Sequence, residues 1–228
     1  MYVTETMIRE MEHRYGVPSR VEFVIPVTPA EVARIRSTQR DGRNHDVTLY
    51  VHKGSQWIVI AKPVYPEGLF RAPSGGIHKG EDFETGMHRE MAEEIGCEIR
   101  IERFLLRTSV DFTSNPDAKF RVSKLVPGLE SPSSDVTNPH ANHNTSTTSH
   151  VRFSPDNVCW RSFVFLAEYV RGDFNYTDRY EIREVRLVDW SDFEKFGRVM
   201  RQSPMGGLHY RAALHEAVAA DMDASDRA

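Results

Sequence analysis

Apolar residues recur at every fourth position through Val3, Met7, Met11 and Tyr15. That spacing lines one side of an α-helix, and Gly16 with Pro18 ends it. Val21 to Val27 reads as a strand. Thr28-Pro29-Ala30-Glu31 predicts a helix start, with Thr28 as N-cap, proline in the first turn and Glu31 completing a capping box. This helix carries Val32 and Ile35 and dissolves at Asp41-Gly42. Val47, Leu49 and Val51 then alternate with Thr48, Tyr50 and His52, which predicts a half-buried strand. Lys53-Gly54-Ser55 makes a turn, and Trp57 to Ala61 returns as an apolar strand.

A loop from Pro63 to Ser74 leads to a second helical pattern. There Met87, Met91 and Ile95 form a buried stripe, and Gly96 supplies the left-handed residue wanted just beyond the helix. Ile99 and Ile101 alternate with charged residues, and Phe104-Leu105-Leu106 follows. The nearly continuous apolar run Phe163–Val170 predicts a strand covered on both faces, and Ile182–Val188 is a further strand. Trp190-Ser191-Asp192-Phe193-Glu194 predicts a helix opened by a second capping box. Tyr210, Leu214, Val218 and Met222 give a last helix after Gly206-Gly207. Strands mixed with helices in this order indicate a layered α/β domain. Between Val126 and Asn157 the chain is rich in Ser, Thr, Asn and Pro and reads as a flexible insertion.

Composition narrows the function. The 228 residues carry a formal net charge of −4 and a pI near 6.2, so there is no basic footprint and no nucleic-acid partner is expected. Cys97 and Cys159 are too few for a disulfide framework. The polar, amphipathic start is not a signal peptide, and no apolar run reaches the ~20 residues needed to span a bilayer. A cytoplasmic protein with no membrane association is expected. His140, His143 and His150 match no zinc-site spacing, and Asn144-Thr145-Ser146 is a glycosylation sequon without a secretory context.

Candidate chemistry centres on Glu90, Glu93 and Glu94, which stack on one helix face. Such a cluster is either a solvated acidic face or a hard-cation site for Mg²⁺ or Mn²⁺. Arg89 and Glu93, one turn apart, form a pair able to hold a carboxylate in place. The surrounding residues, from Gly75 through Glu81, Arg89-Glu90, Met91, Glu93-Glu94 and Gly96 to Cys97, form G-x5-E-x7-R-E-U-x-E-E-x-G-U, where U is apolar. This segment resembles the Nudix box at every defining position, apart from Ser74 where the family usually has a second glycine.

The resemblance implies an α/β/α sandwich with a mixed β-sheet and the box as loop–helix–loop. It implies a domain over residues 43–228, interrupted by the insertion at about 126–157. Residues 1–42 form an N-terminal extension that packs on the core or mediates dimerisation. It further implies hydrolysis of a nucleoside diphosphate derivative by water attack at phosphorus, with Mg²⁺ or Mn²⁺ as cofactor. Glu90, Glu93, Glu94 and the Gly75 carbonyl match the metal positions, and Glu81 and Arg89 match supporting ones. A further carboxylate from a later loop is assigned to Glu181, with Glu184, Glu168 and Asp178 as competitors. A small-molecule nucleotide is the expected partner: ADP-ribose, a nucleotide sugar, a dinucleoside polyphosphate or a (d)NTP. The proline that marks many ADP-ribose hydrolases is displaced here to Pro116. Lys62, Arg71 and Arg161 are candidate phosphate contacts, and Trp160 and Tyr169 candidate base-stacking residues. A nucleotide-sensing module is the alternative function, but such modules tend to lose box carboxylates and this chain keeps all of them.

Overall fold

The computed structural model describes residues 2–40, 42–125 and 156–225. The insertion from 126 to 155, with its three histidines and its sequon, lies outside them. Among the described residues the elements run α1 (Glu5–Tyr15), β1 (Ser19–Pro26), α2 (Pro29–Gln39), β2 (His45–Lys53), β3 (Gln56–Ala61), β4 (Ser74–Gly75), α3 (Phe83–Glu94), β5 (Cys97–Thr113), β6 (Arg121–Leu125), β7 (Asn157–Gly172), β8 (Glu184–Val188), α4 (Asp192–Gln202) and α5 (Gly206–Ser225).

One mixed sheet runs in the order β6-β1-β5-β7-β2-β3-β8, with the short β4 paired to β2. β1 lies parallel to β5 and β2 parallel to β7, while the other pairs are antiparallel. Strand alternation sends Val47, Leu49, Phe163 and Phe165 to one face, against Ile8 and Met11 of α1 and Phe83, Met87 and Met91 of α3. Tyr50, Val59 and Val164 point to the other face, against Val32 of α2, Phe193 of α4 and Tyr210, Leu214 and Val218 of α5. The result is the expected α/β/α sandwich. Residues 2–40 are part of it: β1 is an internal strand of the sheet, α1 seals one face and α2 the other.

Two expectations change. β2 is buried on both faces from His45 to Val51, not half-buried. Its alternating partners Thr48 and Tyr50 meet α5 and α4 rather than water. The predicted capping box of α4 does not form. Ser191 adopts helical angles and makes no side-chain cap bond, and Asp192 instead accepts the backbone N–H of Asp189. The Thr28–Glu31 box of α2 forms in full.

Local signals explain α3 well. Asp82 caps it, with Oδ1 accepting the Thr85 N–H at 2.8 Å. Met87, Met91 and Ile95 are fully buried, each contributing about 1.5–3 kcal/mol of hydrophobic stabilisation. Gly96 takes φ +73°, and a Cβ there would lie 2.7 Å from the Asn175 backbone. Glycine is therefore required twice over, for its backbone angle and for the loop packed against it.

Candidate active site

The box helix and the loop before it are fastened by Arg89. Its guanidinium donates to both Glu81 oxygens at 2.9 Å, to Glu90 Oε1 at 3.0 Å, to Glu93 Oε2 at 3.1 Å and to the Gly76 carbonyl at 2.7 Å. Glu81 also accepts the His78 N–H at 2.8 Å. The Arg89 guanidinium holds the Glu81 carboxyl below its ordinary range, and these carboxylates raise the Arg89 pKa in turn. Glu90 is buried, and its Oε1 accepts the Gly76 N–H at 2.9 Å. This approach is so close that a Cβ on Gly75 would fall 1.9 Å from Glu90 Cδ. The box glycine is thus the space into which Glu90 fits.

Glu93 is half-exposed at the end of α3. Its backbone carbonyl accepts the N–H groups of Thr177 at 3.0 Å and Asp178 at 3.2 Å, which moors the loop after β7 to the box helix. That loop carries Glu181. Asp178 Oδ1 accepts the Glu181 N–H at 2.9 Å, and the Glu181 carboxylate meets Lys62 Nζ at 2.5 Å. The competitors are occupied differently: Glu184 pairs with Arg186, Glu168 with Arg100, and Asp178 caps the turn.

Glu94 stands apart from this network. It is 4% exposed, and its Oε2 has no hydrogen-bond partner. Burial pushes its carboxyl up to about 7; Arg71 and Lys62 oppose the shift, and Glu90 and Glu181 add to it. Those four side chains thus surround it electrostatically. The acidic cluster is partly relieved, because Arg89 draws Glu90 and Glu93 to itself. Among the described residues no three His, Cys, Asp or Glu side chains converge on one point.

Beside Lys62 and Glu181 opens a cavity of about 510 Å³. Arg71 and Trp160 line it, as do Arg34, Ile35 and Thr38 of α2 and Leu208, Tyr210 and Arg211 of α5. Its floor is a buried polar network. Arg211 donates to Asp46 Oδ2 at 2.7 Å, Thr48 Oγ1 at 3.0 Å and Ser74 Oγ at 3.1 Å. Ser162 donates to Asp46 and accepts the Tyr210 hydroxyl. Burial opposes ionisation of both Asp46 and Arg211, but their mutual attraction together with the polar groups around them outweighs it, lowering the Asp46 pKa and raising that of Arg211. Ser74, the departure from the family pattern, also accepts from Arg71 at 2.8 Å.

Arg161 and Tyr169 do not line this cavity. Arg161 donates to the Val3 carbonyl at 3.3 Å and stacks on Phe163, and Tyr169 lies under Lys53 with its hydroxyl on the Gly172 carbonyl. Sequence reasoning missed the α2 and α5 contributions, since a pattern read along the chain does not show which distant segments meet.

The NUDIX domain profile matches residues 46–205, more than half of the chain. A NAD-capped RNA hydrolase NudC from Mycobacterium tuberculosis is 38% identical over 60 residues, covering 26% of this chain and 19% of that protein. An RNA pyrophosphohydrolase from Helicobacter pylori is 40% identical over 65 residues, covering 28% of this chain and 42% of that protein. The chain therefore matches less than half the length of either relative. A solved NUDIX hydrolase from Nitrosomonas europaea aligns with 80% of this chain and 90% of its own, at 14% identity and a TM-score of 0.45. No helix among the described residues is long and apolar enough to cross a membrane. With the profile spanning the box, the strands of the sheet after β1 and the cavity-lining residues from Asp46 to Met205, the chain belongs to the NUDIX domain family.

Proposed function

We propose that this chain is a divalent-metal-dependent pyrophosphohydrolase of nucleoside diphosphate derivatives. The observation that carries the reading is Glu94, a buried carboxylate with an unpartnered oxygen, within electrostatic reach of Glu90 and Glu181. A desolvated carboxylate without a donor is costly unless a proton or a cation compensates it. Carboxylate and carbonyl oxygens are the ligands that Mg²⁺ and Mn²⁺ select, so the donor set fits such an ion. Glu90, Glu93, Glu94 and the Gly75 carbonyl would hold it. Once bound, the cation neutralises phosphate charge and polarises the phosphoryl oxygens.

The remaining work falls to the chain itself. Arg89 and Glu81 hold Glu90 and Glu93 in position until a cation competes for them. Glu181 supplies the further carboxylate and accepts the proton of the attacking water, and Lys62 orients it. Arg71 and Lys62 provide positive charge for the diphosphate. Relatives named for NAD-capped RNA and for RNA pyrophosphates share one chemistry, a phosphoric anhydride on a nucleoside 5′ carbon. ADP-ribose, nucleotide sugars, dinucleoside polyphosphates and (d)NTPs share it too.

A turnover screen over these compounds with Mg²⁺ or Mn²⁺ tests the proposal. Wild type is expected to release a nucleoside monophosphate from at least one of them. Glu94→Gln should reduce the rate by about 10²-fold or more, and Glu181→Gln should lower the rate at every pH. Turnover unaffected by chelation, or full activity in Glu94→Gln, would refute the assignment.

A further inference from the structure

Phe174, two residues beyond β7, has a φ of +59°, and among the described residues no other side chain besides glycine has a positive φ. A bulky residue adopts this left-handed region only where its surroundings over-determine it. Had the turn alone mattered, glycine would meet it without strain. The ring is therefore what this position requires.

That ring is clamped. Its centroid lies 5.6 Å from that of Tyr169, at an interplanar angle of 36°. Lys53 Nζ, at the end of β2, stands 4.1 Å from the Tyr169 ring and 5.1 Å from the Phe174 ring. The Tyr169 hydroxyl donates to the Gly172 carbonyl at 2.5 Å, which fixes the chain just before the strained residue. On its inner side Phe174 packs against the core cluster that α1 and α3 cover.

Beyond Phe174 the chain is fastened to the end of the box helix. The Asn175 backbone lies against Gly96. The Tyr176 hydroxyl donates to the Arg183 carbonyl at 3.1 Å and closes the base of the loop. The Thr177 and Asp178 N–H groups reach the Glu93 carbonyl, and Asp178 Oδ1 receives the Glu181 N–H. Ile182 is then 1% exposed in the same core. Anchors thus recur along the whole path from the clamped ring to Glu181.

We propose that Phe174 is a positioning residue for Glu181. Its ring holds the strained turn that seats residues 173–183 on the end of α3, and this seating sets the Glu181 carboxylate relative to the box. The role of Glu181 rests on the hydrolase reading, whereas the seating of its loop is measurable without turnover.

Amide hydrogen exchange of Thr177, Asp178 and Glu181 in the full chain reads that seating, with Met91 of α3 as the internal reference. Phe174→Ala should speed exchange at the three loop amides about tenfold, the combined strength of an aromatic pair and a cation–π contact. Lys53→Met, which leaves the loop's own residues intact, should speed it about two- to threefold. Phe174→Gly relieves the backbone but lacks the ring and should be as loose as Phe174→Ala, whereas Phe174→Tyr keeps the clamp and should restore wild-type protection. With Mg²⁺ and a substrate found in the turnover screen, kcat and kcat/KM of Phe174→Ala should fall together by about tenfold or more, KM staying unchanged, and Phe174→Tyr should recover both. Wild-type protection in Phe174→Ala or in Phe174→Gly overturns the proposal, as do loosened amides with an unaltered kcat. A wild type that turns over no substrate sinks the hydrolase reading alone, and the exchange rates then decide whether Phe174 seats the loop.

Discussion

Replacing Arg89 by Met keeps an unbranched apolar stem and removes the guanidinium that joins Glu81, Glu90, Glu93 and Gly76. Arg89 and Glu81 have side chains only 20% and 12% exposed, so their contact is closer to a buried pair than to a surface one. Breaking such a pair costs about 3–5 kcal/mol, much of it from the stranded carboxylate; the remaining solvent contact puts the expectation at ~3 kcal/mol. Against a total stability of roughly 5–15 kcal/mol, the variant stays folded and measurable. Urea unfolding followed by tryptophan fluorescence supplies the number. Glu81→Gln and the double variant complete a cycle, with an expected coupling near ~2 kcal/mol for contacting charged partners. The pH dependence has a definite sign. The Glu81 carboxyl is held below its ordinary value of 4.5. Its contribution is therefore present above that value and lost as pH falls through the lower folded one. Wild type should lose more stability than Glu81→Gln across that acid range, and Arg89→Met should not show the difference. A loss below ~1 kcal/mol in Arg89→Met, with an unchanged denaturant slope, would mean the network is an ordinary surface cluster.

Two further outcomes test the geometry. In Gly75→Ala the new methyl would occupy the place of Glu90 Cδ, so Glu90 must leave its bonds to Gly76 and Arg89; a loss of about 2 kcal/mol is expected, and an unshifted melting curve would contradict the close approach. Arg211→Met strands the buried Asp46 carboxylate and should cost about 3–5 kcal/mol, whereas Arg211→Met with Asp46→Leu should recover much of it; in chemical denaturation, a double variant as unstable as the sum of the singles would refute that account.

The sequence revealed what is local and left obscure what is assembled. The box helix was legible because its stripe and Gly96 act within one turn of themselves. The capping box of α2 followed for the same reason, while that of α4 failed because Asp192 was drawn to the Asp189 backbone. The burial of Thr48 and Tyr50 was hidden, since alternation shows two faces but not what covers the second. Glu181 is a candidate from its place before a strand, yet its partner Lys62 is 119 residues away in sequence, beyond any local pattern. Ser74 shows in the sequence only as a departure from the usual glycine; in the fold its hydroxyl receives two arginines.

The pairing of β1 with β5 has a consequence for how the chain reaches its shape. Ser19 lies opposite Leu106 and Pro26 opposite Thr113, so the first strand must wait for most of the domain's first half to be synthesised. β5 in turn borders β7, whose residues 157–172 come later still. Among the described residues, only the β2–β3 hairpin closes over a short span. Loop-closure entropy is spent before these distant pairings reward it, which predicts slow, late consolidation of the sheet. The emerging N-terminal strand is then an unpaired edge, open to wrong partners until β5 arrives.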